Sequence, residues 1–175
     1  MARRSRGERF YARDALERFR AARSTRTLGV IVSPHLYPPA VDPKLVGTYP
    51  ALAGAGGGFV WDEVLEYRVW CHPERGAPDQ EDGSDYYHPF ATYSEALEFS
   101  RKTPGAEEPL ALILQREYIS EPEPGVYVHV KESRHTEWPV EFLSRPPRTP
   151  DTIPQFLSPD APANRLDILR GTAKP

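Results

Sequence analysis

Apolar and polar residues alternate most clearly over residues 59–72. There Trp61, Leu65, Tyr67, Val69 and Cys71 fall on one face of an extended chain and Asp62, Glu66, Arg68, Trp70 and His72 on the other. This predicts a strand with one apolar and one mixed face, with room for a bulge or turn near Asp62-Glu63. Residues 110–114 form a continuous apolar run inside 109–119, the pattern of a central strand covered on both faces. Glu121-Pro-Glu-Pro-Gly125 reads as a turn and 126–131 as its returning strand, so 109–119 and 126–131 are expected to pair in one sheet with 59–72. In that returning strand Val126, Val128 and Val130 alternate with Tyr127, His129 and Lys131. Residues 86–91 suit a short pairing strand. Residues 134–143 suit another, which Pro139 demotes to an edge.

Helical spacing appears twice. Ala12, Ala15, Leu16, Phe19 and Ala22 predict an amphipathic helix over 8–23, followed by a short apolar run at 28–32. Thr92-Tyr-Ser-Glu95 is a capping-box pattern opening a helix to about Lys102, with Ala96, Leu97, Phe99 and Ser100 toward the core and Thr103-Pro-Gly105 as its stop. The predicted architecture is α+β: a mainly antiparallel sheet with one or two helices on one face and an irregular Pro-rich C-terminal tail.

Composition refines this picture. The chain has 175 residues, enough for one domain with a core, and 20 prolines, which stiffen the loops at 34–50 and the tail from about 144. Residues 1–26 hold nine arginines and three acids, about +6, while the rest is about −9. The division is therefore a basic helical arm, 1–26, and a single domain, 27–175. Phosphates of a nucleic acid, or an acidic protein surface, are the partners expected for Arg3, Arg4, Arg6, Arg9 and Arg13. Docking of the arm on the acidic body is favoured slightly over either, since Leu16 and Phe19 give its helix an apolar face to bury. No apolar stretch has the length of a membrane span, and arginines and acids interrupt any secretory-signal pattern. With Cys71 the sole cysteine, a reducing cytoplasm is the expected location.

Several groups could carry chemistry. The run Gly54–Gly58 leads into a strand rather than a helix and lacks a following Lys-Ser/Thr, so a tight turn is favoured over a phosphate loop. Asp79, Glu81, Asp82 and Asp85, flanked by His72 and His88, could ligate a hard cation, but a solvated acidic loop is the simpler reading and no metal is expected. Cys71 falls on the apolar face and reads as core. The mixed face is richer: Glu66, Arg68 and His72 on one strand, Tyr127, His129 and Lys131 on another, with His135 and Glu137 beyond. If shared, Glu66, Arg68, His129, Lys131 and His135 would supply the base, cation and carboxylate of a small nuclease-like hydrolase. A solvent-facing sheet surface laced with ion pairs is the competing reading.

The segments 47–53, 66–73, 85–93 and 136–143 resemble small bacterial proteins that carry the name of GNAT-type N-acetyltransferase. The resemblance covers roughly residues 45–170 and implies acetyl-coenzyme A as cofactor. GNAT enzymes bind the coenzyme pyrophosphate on a Gln/Arg-x-x-Gly-x-Gly/Ala segment between a strand and a long helix. The corresponding junction here, 90–95, has no glycine, so no residue carries over. The sequence therefore reads first as a small binding or regulatory domain, with acyl transfer and hydrolysis as enzymatic alternatives.

Overall fold

The structure is a computed structural model and describes residues 37–51, 53–55 and 57–174. The basic arm, its helix over 8–23 and the apolar run at 28–32 lie outside the described residues. No helix among the described residues is long and apolar enough to cross a membrane.

Five strands form the main sheet: β1 (Gly54–Ala55), β2 (Glu63–Cys71), β3 (Tyr86–Phe90), β4 (Leu110–Gln115) and β7 (Arg134–Pro139), in the order β1-β7-β4-β2-β3. Every neighbouring pair is antiparallel except β1 with β7. The bulge of β2 falls between Val64 and Glu66, slightly later than the sequence suggested. Helix α1 (Tyr93–Lys102) packs on one face of this sheet. Its start is the predicted capping box: Thr92 Oγ1 accepts from the Glu95 N–H, and the Glu95 carboxylate accepts from the Thr92 N–H. Tyr67, Val69, Ala96, Ala111, Ile113 and Trp138 are the centre of the core between them.

The architecture is α+β, but two predicted pairings change. The run 109–119 is not one strand. It breaks after Gln115 because the Arg116 N–H is taken by the Asp62 carboxylate, 2.7 Å away, instead of by a strand partner. Beyond the break, β5 (Tyr118–Glu123) leaves the main sheet and pairs with β6 (Val126–Val130) as a separate two-stranded ribbon. Tyr118 and Ile119 therefore do face β6, while β4 pairs with β2 and β7. β7 is not bare on its outer side either, since β1 pairs with Thr136 and Glu137. Pro139 ends the strand.

The tail is more ordered than its prolines implied. Helices α2 (Thr152–Leu157) and α3 (Arg165–Leu169) fold over the ribbon and build a second apolar cluster around Val60, Ile119, Ile153 and Phe156. The tail is fastened to the start of β2: the Trp61 indole N–H donates to the Arg145 carbonyl, and the Arg148 N–H to the Trp61 carbonyl.

Candidate functional site

The predicted polar face exists, but it is neither solvent-facing nor shared by β2 and β6. Glu66 and Arg68 are fully buried. Arg68 Nε donates to Glu66 at 2.7 Å, Nη1 to Glu137 at 3.0 Å across β4, and Nη2 to the Pro50 carbonyl at 2.8 Å, while the Tyr87 ring lies 4.4 Å beneath the guanidinium. Glu66 also accepts from the Gly47 N–H. The loop 47–51 thus lies over this face, held by a network in which all three guanidinium nitrogens have partners. These are the segments that carried the family resemblance, and here they serve to clamp a loop on the sheet.

The other candidates are elsewhere. His129 pairs with Glu117, which Arg148 also contacts while reaching Asp62. The hydrogen bond from His129, followed by the charge of Arg148, holds the Glu117 carboxyl below its ordinary range. Lys131 is exposed beside this pair. His135 stacks edge-on against Tyr49, 5.7 Å between centroids. Arg68 and His129 lie in different sheets and share no partner, so the five residues form no single site. Cys71 is fully buried, and burial pushes its thiol pKa up. The glycine run contributes β1 and then a turn in which Gly57, Gly58 and Phe59 all have positive φ. A side chain at Gly58 would be strained by its φ of +74° and would displace the ends of the Arg134 and Gln115 side chains, 2.4 Å from a Cβ there.

A cleft that the sequence did not single out is the better candidate. Its volume is about 360 Å³, between the strained turn at Phe59-Val60 and the tail helices. Phe59, Val60, Phe156, Ile168 and Leu169 give it apolar walls, Thr152 and Gln155 offer hydrogen bonds, and Arg145 and Arg165 are its cations. Among the described residues no acidic one lines it. The half-buried Arg145 guanidinium lies 4.5 Å from the Phe142 ring centroid and 5.5 Å from that of Trp138. Arg165 sits 5.2 Å from Phe156, and Arg170 5.8 Å from Phe59. Among the described residues none of these three arginines has a carboxylate within ion-pair distance. The Arg145 pKa is consequently pulled down to about 10, first by burial and then by the charge of Arg170. The sequence signal for the cleft is faint: Arg145, Arg165 and Arg170, three of the four arginines in the last thirty-odd residues of an acidic body, beside Phe156, Leu166 and Leu169.

No family model, curated protein or solved structure matches the chain.

Proposed function

We propose that this is a ligand-binding domain, and that the cleft between Phe59 and the tail helices takes a small organic anion, a carboxylate or phosphate monoester with an apolar or aromatic body. The observation that carries this reading is Arg145, a desolvated cation at an apolar cleft with no acid partner among the described residues. Burying a charge without a partner is costly. An anion bound there would relieve that cost and the repulsion from Arg170, while its apolar part would cover Phe156 and Leu169. Cleft volume and lining match ordinary small-molecule sites, in which a few polar groups orient a ligand between apolar walls.

The test is calorimetric titration of the full chain with 2-naphthyl phosphate and 1-naphthoate, beside neutral 2-naphthol, inorganic phosphate, nucleotides and acetyl-coenzyme A. The aromatic anions should bind, and 2-naphthol and inorganic phosphate far more weakly. Arg145→Gln and Arg165→Gln should each lose about tenfold or more, as expected for a charged hydrogen bond. Selective binding of acetyl-coenzyme A would turn the reading toward acyl transfer. Aromatic anions that fail to bind, or that bind Arg145→Gln as well as the native chain, would sink it.

A further inference from the structure

The far end of β2 carries a second constellation, nearly the whole length of that strand away from the cleft. His72 follows β2, Glu74 lies in the short 3-10 turn Pro73–Arg75, Asp85 precedes β3 and Glu107 precedes β4. The backbone holding His72 is fixed: its N–H donates to the Gly105 carbonyl, and its own carbonyl accepts from Arg75 and Ala77. Gly105 packs so closely on this turn that a Cβ would come 2.4 Å from the Ala77 nitrogen.

The His72 residue is only 8% exposed. Asp85 Oδ1 is 2.9 Å from its Nδ1 and Glu107 Oε1 is 3.1 Å from its Nε2, yet neither contact has hydrogen-bond direction, and both buried nitrogens lack a hydrogen bond among the described residues. Buried imidazole nitrogens ordinarily have one. Two ligand atoms that each lie about 2.1 Å from one ion stand about 3 Å apart at the right angle of an octahedral site and about 3.4 Å apart at the tetrahedral angle, so the 2.9 Å between Nδ1 and Asp85 has the octahedral spacing. One oxygen of Glu74 completes a group of three potential ligand atoms, all within 4.8 Å of one another. Glu107, held in turn by Arg75 Nη1 at 3.0 Å, lies 3.1 Å from the other ring nitrogen, where a small turn of the imidazole on metal binding would let it accept the Nε2 N–H as the outer carboxylate of a metal-bound histidine does.

We propose that His72 Nδ1, Asp85 and Glu74 form a binding site for a divalent transition cation, with Glu107 orienting the imidazole and water filling the open positions. One imidazole and two carboxylates suit the ions from Mn²⁺ to Zn²⁺, with Zn²⁺ the tighter of those two. Asp79, Glu81 and Asp82, the other acids of the loop, take no part. Asp79 instead caps the Gly83 N–H.

The full chain, stripped with chelator, should be titrated with ZnCl₂ and separately with MnCl₂. Metal retained after dialysis should be measured by mass spectrometry. One equivalent of Zn²⁺ is expected, with a rise in melting temperature. His72→Gln should abolish binding. Because that variant disturbs a buried position, Glu74→Gln and Asp85→Asn provide the safer readout, each lowering affinity at least tenfold, and Glu107→Gln should lower it about 10- to 100-fold. Zn²⁺ binding unchanged in both Glu74→Gln and Asp85→Asn would assign the ion to the loose acidic loop and overturn the proposal. So would no binding of either metal, which would leave the cluster as carboxylates packed around His72.

Discussion

Arg68 and Arg145 are both desolvated guanidinium groups, and their surroundings differ in one respect. Arg68 is enclosed by Glu66, Glu137 and two carbonyls, so its charge is balanced within the fold. Removing it strands two carboxylates, one of them fully buried, beneath the loop 47–51. Breaking a buried pair in this way costs about 3–5 kcal/mol. Arg68→Met should therefore lower the unfolding free energy from chemical denaturation by that amount, with no direct effect on the cleft. A variant as stable as the native chain would show that the network does not hold the loop. The identities of Glu66 and Arg68 on one face were legible from alternation alone. Their burial was not, because an alternating strand reads the same whether its polar face meets water or a loop anchored by backbone groups of Gly47, Pro50 and Ala51.

Among the elements, legibility followed locality. Helix α1 was readable to both ends because its signals, Thr92 with Glu95 and the Thr103-Pro-Gly stop, lie within a few residues of what they control. Thr92→Ala should cost about 0.5–2 kcal/mol by removing the cap. The break between β4 and β5 rests on a side chain more than fifty positions earlier, Asp62 taking the Arg116 N–H, and no window of sequence contains both. The same break redistributes the core. Leu112 is fully buried, but it lies between Glu66 and Glu137 in the sheet register, on the face opposite Ile113, and Leu114 is only half-buried. Leu112→Ala should cost about 2–5 kcal/mol and Leu114→Ala clearly less, as read by urea denaturation. Equal losses would restore a single central strand buried alike at both positions. β6 reverses the reading of its own alternation: Tyr127 packs against Phe156, 4.9 Å between centroids, while Val126 and Val128 are exposed. The two tail helices escaped notice because they are short, rich in proline nearby, and stable only against the ribbon.

At the scale of the whole molecule, stability and the proposed function pull against each other at the cleft, and pH separates them. Burial and the charge of Arg170 pull the folded-state pKa of Arg145 down to about 10, well below the value at which an unfolded arginine gives up its proton. Between those values the unfolded chain binds more protons, so stability rises with pH there. Relative to a neutral side chain, the folded protein is freed of the cost of this charge only above the unfolded pKa, and bears it in full once pH falls below about 10. At neutral pH, Arg145→Met, which keeps an apolar arm over Phe142, should melt at or above the native temperature. Arg148→Met is the contrast, since Arg148 bonds to Asp62 through Nε and Nη2 and to Glu117 through Nη1, and its loss should lower the melting temperature by several degrees. An aromatic anion should raise the melting temperature of the native chain and leave that of Arg145→Met unmoved, and its affinity should fall as pH climbs through about 10. If Arg145→Met instead melts several degrees lower, as Arg148→Met does, Arg145 is a structural cation and the cleft loses its claim to an anionic ligand.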